Sequence, residues 1–269
     1  MTELQDGFMD LALALPFPLG WPPYATTIIL ATVASRIMLT LPFSLWARRR
    51  MRAVEEHVLP ALAEEKQTVQ RTEQLKMMRE RFKGTQEELD LELRRRFREA
   101  MTKRRDVLLK QHAGSPIATM LIPILAQAPL FVGMSYFFVA LARPPAAFIL
   151  DAESFLSLTS MTHTDPTAAL PIALGILTLA NVESANWFLG ERAREIEARE
   201  RARRKRLREE GKIALPSLGT IVKPLLRGLS VVRIVFGTMM PGTVIVYWVT
   251  SAAYGLVQTW IFDYLDRRR

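Results

Sequence analysis

The stretch TTIILATVASRIMLTLPFSL, residues 26–45, decides the fold. It is apolar apart from small hydroxyl side chains and a single charge, Arg36. About 20 consecutive apolar residues, rising about 1.5 Å each as a helix, match the roughly 30 Å hydrocarbon layer of a bilayer. A soluble helix alternates apolar and polar residues so that one face is buried. This stretch does not alternate, so a membrane span is placed at residues 24–46.

Outward from this span, apolar blocks are separated by charged ones. Residues 47–111 carry 18 Lys or Arg and 12 Asp or Glu, which no segment in lipid can hold. Within that block Met51, Val54, Val58 and Leu62 form one stripe, and Leu89, Leu93 and Phe97 form another after the break at Lys83-Gly84-Thr85. Two narrow stripes at helical spacing predict a charged helical hairpin over 47–113. A second span is expected at 117–141, with Pro123 and Pro129 inside it; neighbouring helices can satisfy the carbonyls that proline frees. The loop 143–167 is acidic, with Asp151, Glu153 and Asp165 against Arg143. A third span is expected at 168–189. The basic loop 190–223 follows and includes Arg203-Arg204-Lys205-Arg206. Two further spans, 224–240 and 242–262, are divided by Met240-Pro241-Gly242, and a short basic tail, 263–269, remains.

Lys and Arg resist translocation, so basic segments stay on the side of synthesis. Five spans put both basic loops and the tail on that side. They put the acidic N-terminal segment 1–23, the acidic loop and the turn at 241 on the other. Four or six spans would split the basic segments. The fold class expected is thus an all-α membrane protein of five transmembrane helices with the charged hairpin between the first two. Leu4 to Leu15, with Asp6 and Asp10, suits an amphipathic helix on the membrane surface before Pro16 and Pro18 redirect the chain.

The net charge of +9 invites a nucleic-acid reading, but the basic residues lie beside apolar blocks, with no zinc-finger spacing and no aromatic RNA-binding motif. No DNA partner is expected. Cysteine is absent, which removes disulfides, thiol nucleophiles and Cys-based metal sites. HExxH, GxSxG, GxxxxGK[ST] and GxGxxG are missing, and His57, His112 and His163 lie far apart in sequence. Neither an enzyme, a metal nor a cofactor is expected.

A charge inside a span costs roughly 2.5 to 3.5 kcal/mol on insertion scales, so it faces a polar cavity or a partner. Arg36, Glu183 and Arg233 are such charges. Arg36 reads either as a cation displayed in a water-accessible groove or as half of an ion pair with Glu183. For Glu183 and Arg233 a structural role is favoured. Gln127, Asn181 and Gln258 would add polarity to a groove, although single amides also serve as hydrogen bonds between helices. The expected client-binding groove thus comprises Arg36, Gln127, Asn181, Glu183 and Gln258.

Three stretches together resemble the YidC/Oxa/Alb insertase family: TTIILATVASRIMLTLPFSL with its Arg36, MLIPILAQAPLFVGMSYFF (120–138), and MMPGTVIVYWVTSAAYGLVQTWIF (239–262) with Pro241-Gly242, Tyr247-Trp248 and Ser251. The resemblance implies a five-helix core whose groove opens to the synthesis side and to lipid. Arg36 would draw in the hydrophilic segment of a client, whose apolar helix then leaves sideways into the bilayer without nucleotide. Membrane protein clients and the lipid bilayer are the implied partners. No large domain precedes the first span and only about seven residues follow the last, so ribosome binding is not expected. This pattern is most like the mitochondrial branch that assembles cytochrome c oxidase. The implied task is export of the C-terminal part of oxidase subunit 2 across the mitochondrial inner membrane, with the N-terminus in the intermembrane space and the C-terminus in the matrix. The alternatives are a bacterial plasma-membrane insertase and a non-translocating assembly scaffold or chaperone.

Overall fold

The computed structural model describes residues 2–80, 85–112, 114–187, 202 and 218–267. Among these residues the chain is all helical, with no strand. In order, the helices are α1 (Thr2–Ala14), α2 (Pro23–Ser35), α3 (Leu41–Ala53), α4 (Leu59–Arg79), α5 (Gln86–His112), α6 (Pro116–Leu141), the single turn α7 (Ala147–Leu150), α8 (Ala169–Trp187), α9 (Leu218–Gly237) and α10 (Gly242–Arg267). Most of the basic loop 190–223, its run Arg203-Arg204-Lys205-Arg206, and Lys83 and Gly84 of the hairpin break lie outside the described residues.

Three helices are long and apolar enough to cross a membrane, with windows in Pro23–Arg79, Leu121–Leu141 and Gly242–Leu265; Ala169–Ser184 is a shorter apolar helix. Helix α9 is not among them; Lys223, Arg227 and Arg233 interrupt its apolar run.

Two π-helical turns, Arg36–Thr40 and Val54–Val58, join α2 to α3 and α3 to α4. In each case a proline, Pro42 or Pro60, occupies the second position of the helix that follows. Proline has no N–H to give, and its ring collides with the carbonyl four residues back. A wider turn just before it relieves both conflicts, and π-turns of this kind are frequent at functional sites. The first of them begins at Arg36.

The chain divides into two compact units, residues 37–130 and the remainder. In the first, α4 packs along α5. Val58, Leu108 and Leu109 are buried there, with Val54, Ala61 and Leu62 against them. Leu89, Leu93 and Phe97 are half-buried. Arg104 donates to both Glu65 carboxylate oxygens at 2.5 and 2.6 Å, and Arg96 to Glu80 at 2.7 Å. These pairs are exposed and add little stability, so the narrow apolar seam carries the contact. Gly114, with φ +70°, follows α5 in a backbone conformation that side chains disfavour.

The other unit concentrates its core at one end. Tyr24, Ala25 and Ile28 from the start of α2, Leu170 and Leu174 from α8, and Val244 to Tyr247 from α10 meet Phe138 and Leu141 from the last turns of α6. Helix α1 adds Phe8, Met9 and Ala12, spaced at one helical face, and Phe8 sets its ring edge-on to Phe137 and Phe138. Leu4, Leu11 and Leu13 of the same helix are exposed. Farther along the bundle large apolar side chains are outside: Ile176 and Leu179 of α8, Val235 and Phe236 of α9, Val257 and Ile261 of α10. An apolar exterior of this extent suits lipid rather than water.

The acidic segment 143–168 closes the packed end by capping three helix N-termini, whose first N–H groups have no partner within their own helix. Glu153 accepts from the N–H groups of Tyr24 at 2.9 Å and Ala25 at 2.6 Å, at the start of α2. Asp165 accepts from the Leu170 N–H at 2.8 Å at the start of α8, and from Ser157 and Thr167. The carbonyls of His163 and Met161 accept from Gly242 and Thr243 at 2.8 and 2.9 Å, at the start of α10. Carboxylates here also meet the positive ends of helix dipoles. The loop's acidity, read from sequence as a topology signal, therefore has a second use in holding helix ends together.

The two carboxylates differ. Burial pushes the Glu153 carboxyl up, against the pull of its two backbone donors. Burial pushes the Asp165 carboxyl up as well, but the Leu170 N–H and the Ser157 and Thr167 donors outweigh it and hold it below the usual range. A carboxyl depressed by folding contributes stability above its unfolded pKa, about 3.9 for aspartate, and loses it as pH falls through the lower folded value. Asp165→Ala should cost about 2 kcal/mol at neutral pH, the worth of a hydrogen-bonded buried charge, and should flatten the acid limb of stability below about pH 4. Thermal unfolding in detergent across pH tests this; an unchanged acid limb would assign acid sensitivity to other groups.

Candidate functional site

Arg36 opens the π-turn after α2 and is 7% exposed, although it is the one charge in an apolar span. Its Nη2 donates to the Ser251 hydroxyl on α10. Ser251 is 4% exposed. One turn back on α10 is Tyr247, and three residues on is Tyr254, so the three polar side chains recur at i, i+4 and i+7 along one helical face. Both phenols lie within the electrostatic reach of the Arg36 charge, as does Arg233.

Arg233, on α9, donates to the Thr178 hydroxyl of α8 at 3.2 Å, and its guanidinium carbon stands 5.8 Å from the centre of the Phe131 ring. Phe131 in turn stacks on Trp248 at 5.8 Å and tilts against Tyr247 at 5.7 Å. The Trp248 indole N–H donates to Ser135 at 2.9 Å. Two arginines, two phenols and several hydroxyls thus meet inside an otherwise apolar bundle, an arrangement that can receive anionic or strongly polar groups.

The other residues expected in the groove are distributed as follows. The Asn181 carboxamide oxygen accepts from Thr259 at 3.1 Å, joining α8 to α10. Gln258 is half-buried on α10, two turns beyond Ser251. Gln127 lies on α6 in the unit formed by residues 37–130. The Glu183 carboxylate accepts from Arg227 Nε at 2.6 Å, which ties α8 to α9 near a partly exposed surface. That bond gives Glu183 a cation other than Arg36. Sequence reasoning missed Thr178 and did not identify Ser251 as the residue that receives Arg36. The i, i+4, i+7 spacing of Tyr247, Ser251 and Tyr254 was the available signal for the second; nothing local pointed to the first. His57 and His112, far apart in sequence, bring their rings to 5.5 Å, but no group of three metal-ligating side chains occurs among the described residues.

A search among curated proteins finds no match to this chain. The profile of the 60Kd inner membrane protein family matches residues 19–268, which takes in Arg36, the stretch 120–138 and the whole of α10. The family is one of membrane insertases and chaperones rather than of catalytic enzymes, and its members work on membrane protein clients in the bilayer. With nearly its full length matched and its helices long and apolar enough for an inner membrane, the chain belongs to the 60Kd inner membrane protein family, the YidC/Oxa/Alb insertases.

Proposed function

We propose that this chain inserts client spans and carries their attached hydrophilic segments across the membrane by way of Arg36. The observation that supports this most is a guanidinium kept inside an apolar span and held by a neutral hydroxyl, Ser251. The Ser251 hydroxyl orients the guanidinium, and a guanidinium so placed attracts carboxylates. Asn181 and Gln258 extend the polar lining, and the Glu183–Arg227 pair holds α8 to α9. In this reading α2 with its π-turn and the start of α3, α6, α8, α9 and α10 provide the five spans, and α4 with α5 forms a hairpin on the synthesis side that receives clients. The narrower assignment, export of the C-terminal part of cytochrome c oxidase subunit 2 across the mitochondrial inner membrane, rests on the resemblance of the sequence. The same chemistry would serve a bacterial plasma membrane.

The test is export of a reporter with one span and an acidic tail, in vesicles lacking the endogenous insertase, scored by protection of the tail from added protease. The natural chain has no cysteine, so one placed at Gln258 can be crosslinked to one in the tail without background. Wild type should export the tail, and the crosslink should form during passage. Stable binding of the reporter with no protected tail would instead make the chain an assembly scaffold.

A further inference from the structure

Arg50 is the third arginine of Arg48-Arg49-Arg50, which follows the apolar stretch that ends at Trp46 and Ala47. Its guanidinium carbon stands 4.6 Å from the centre of the Trp46 ring, one turn back on α3. The same guanidinium lies against Gly114, where an added Cβ would stand 2.8 Å from Arg50 Nη2 and 3.3 Å from Cζ. Gly114 comes just before α6, whose apolar window is Leu121–Leu141. Where one apolar run ends and the next begins, the chain thus brings together an arginine, an indole and backbone with no side chain. All three residues belong to the compact unit 37–130.

The arrangement holds the cation without using its donors. Among the described residues the Arg50 side chain makes no hydrogen bond and no ion pair, and its contact is the Trp46 ring face. A ring face fixes a guanidinium while its N–H groups stay available. Such a planar fork binds two phosphate oxygens at once. Trp46 is 38% exposed, and an indole at the end of an apolar run suits the level of lipid headgroups. Arg49 beside it is exposed, and basic residues next to a membrane draw anionic lipids. A nucleic acid or an acidic client tail carries the same charge, but neither is held at the depth of an interfacial indole.

We propose that Trp46, Arg50 and Gly114 form a site for the phosphate of an anionic phospholipid in the leaflet on the basic side. The guanidinium takes the phosphate oxygens, the indole packs beside the glycerol, and Gly114 leaves the room that the guanidinium occupies. The site uses residues other than those of the Arg36 route and holds whether or not clients are inserted.

The test is native mass spectrometry of the full chain titrated with phosphatidylglycerol or phosphatidylcholine, read as the Kd of the first lipid bound. Wild type should prefer phosphatidylglycerol. Arg50→Gln should weaken its binding about tenfold, the loss of one charge-assisted contact, and remove the preference. Arg50→Lys, which keeps the charge without the fork, should fall between the two. Gly114→Ala removes no charge but displaces the guanidinium, and should weaken binding about threefold, the worth of an exposed cation–π contact. Arg71→Gln, the same loss of charge on α4, should stay within about twofold of wild type. Equal weakening by Arg71→Gln, a lysine no better than glutamine at position 50, or a wild type that binds both lipids alike would overturn the site. So would complete displacement of phosphatidylglycerol by inorganic phosphate, which would make free phosphate the ligand. None of these results bears on client export, so the insertase reading stands or falls separately.

Discussion

Arg36→Ala should abolish most export of an acidic tail while leaving the protein as stable as before, or more so. The guanidinium sits in an apolar span at a cost of roughly 2.5 to 3.5 kcal/mol, so its removal relieves the bundle. Ser251 is not stranded by the change, because a serine in a helix can donate to the carbonyl four residues back, here Tyr247. A hydrogen-bonded charge contributes about 1.5 to 3 kcal/mol to holding its partner, so export should fall about 10- to 100-fold. Arg36→Lys keeps the charge but not the fork, and should recover part of the rate. Melting temperature in detergent and protease protection of the tail, measured on the same preparations, separate the two effects. Equal export by all three proteins would leave the family assignment intact and remove Arg36 from the mechanism; a sharp drop in melting temperature for Arg36→Ala would make the residue structural.

Gly242→Ala is expected to cause a large loss of stability in the bundle. A Cβ at this position would stand 2.9 Å from Leu158 Cδ1 and 3.0 Å from both the Cα and the carbonyl oxygen of Met161. The leucine methyl can move, but the Met161 backbone cannot, because its carbonyl accepts from Thr243 and the neighbouring His163 carbonyl accepts from Gly242 itself. Pushing the loop back breaks both caps of α10. Overpacking of this kind costs about 1 to 3 kcal/mol, and each lost cap about 1 more, which gives a total of about 4 kcal/mol. Hydrogen exchange should report faster opening around residues 161–163 and the first turn of α10, with α4 and α5 unaffected. Uniform destabilisation of both compact units, or none, would show that the close approach of α10 to this loop is not what holds the packed end.

The two expectations concern opposite qualities of the same bundle. At the packed end, acceptors from 143–168 satisfy the starts of α2, α8 and α10, and Phe138, Leu141, Leu150 and Met161 are buried among them. Along the helices beyond it, polar groups meet at Arg36, Ser251, Tyr247 and Arg233, while apolar side chains cover the outside. A translocating protein that must admit polar segments without leaking needs such a division, with a tightly capped end and a polar interior.

Read alone, the sequence already marks the stretches in Pro23–Arg79, Leu121–Leu141 and Gly242–Leu265 as apolar enough for lipid, and it shows where the charged stretch lies and the apolar stripes of α4 and α5. Those properties follow from run length and 3.6-residue periodicity, which are local quantities of the chain. It also singled out Arg36, because one arginine in an apolar run is conspicuous without any neighbour. Tertiary structure alone decided the pairings. Glu183, a natural partner for Arg36 on charge alone, accepts from Arg227, while Arg36 finds Ser251, 215 residues away. Thr178 meets Arg233 across 55 residues, and Glu153 caps a helix that begins about 130 residues before it. Such contacts depend on which faces of which helices meet, and helix packing is settled by the sum of many weak side-chain contacts that leave no local mark in the chain.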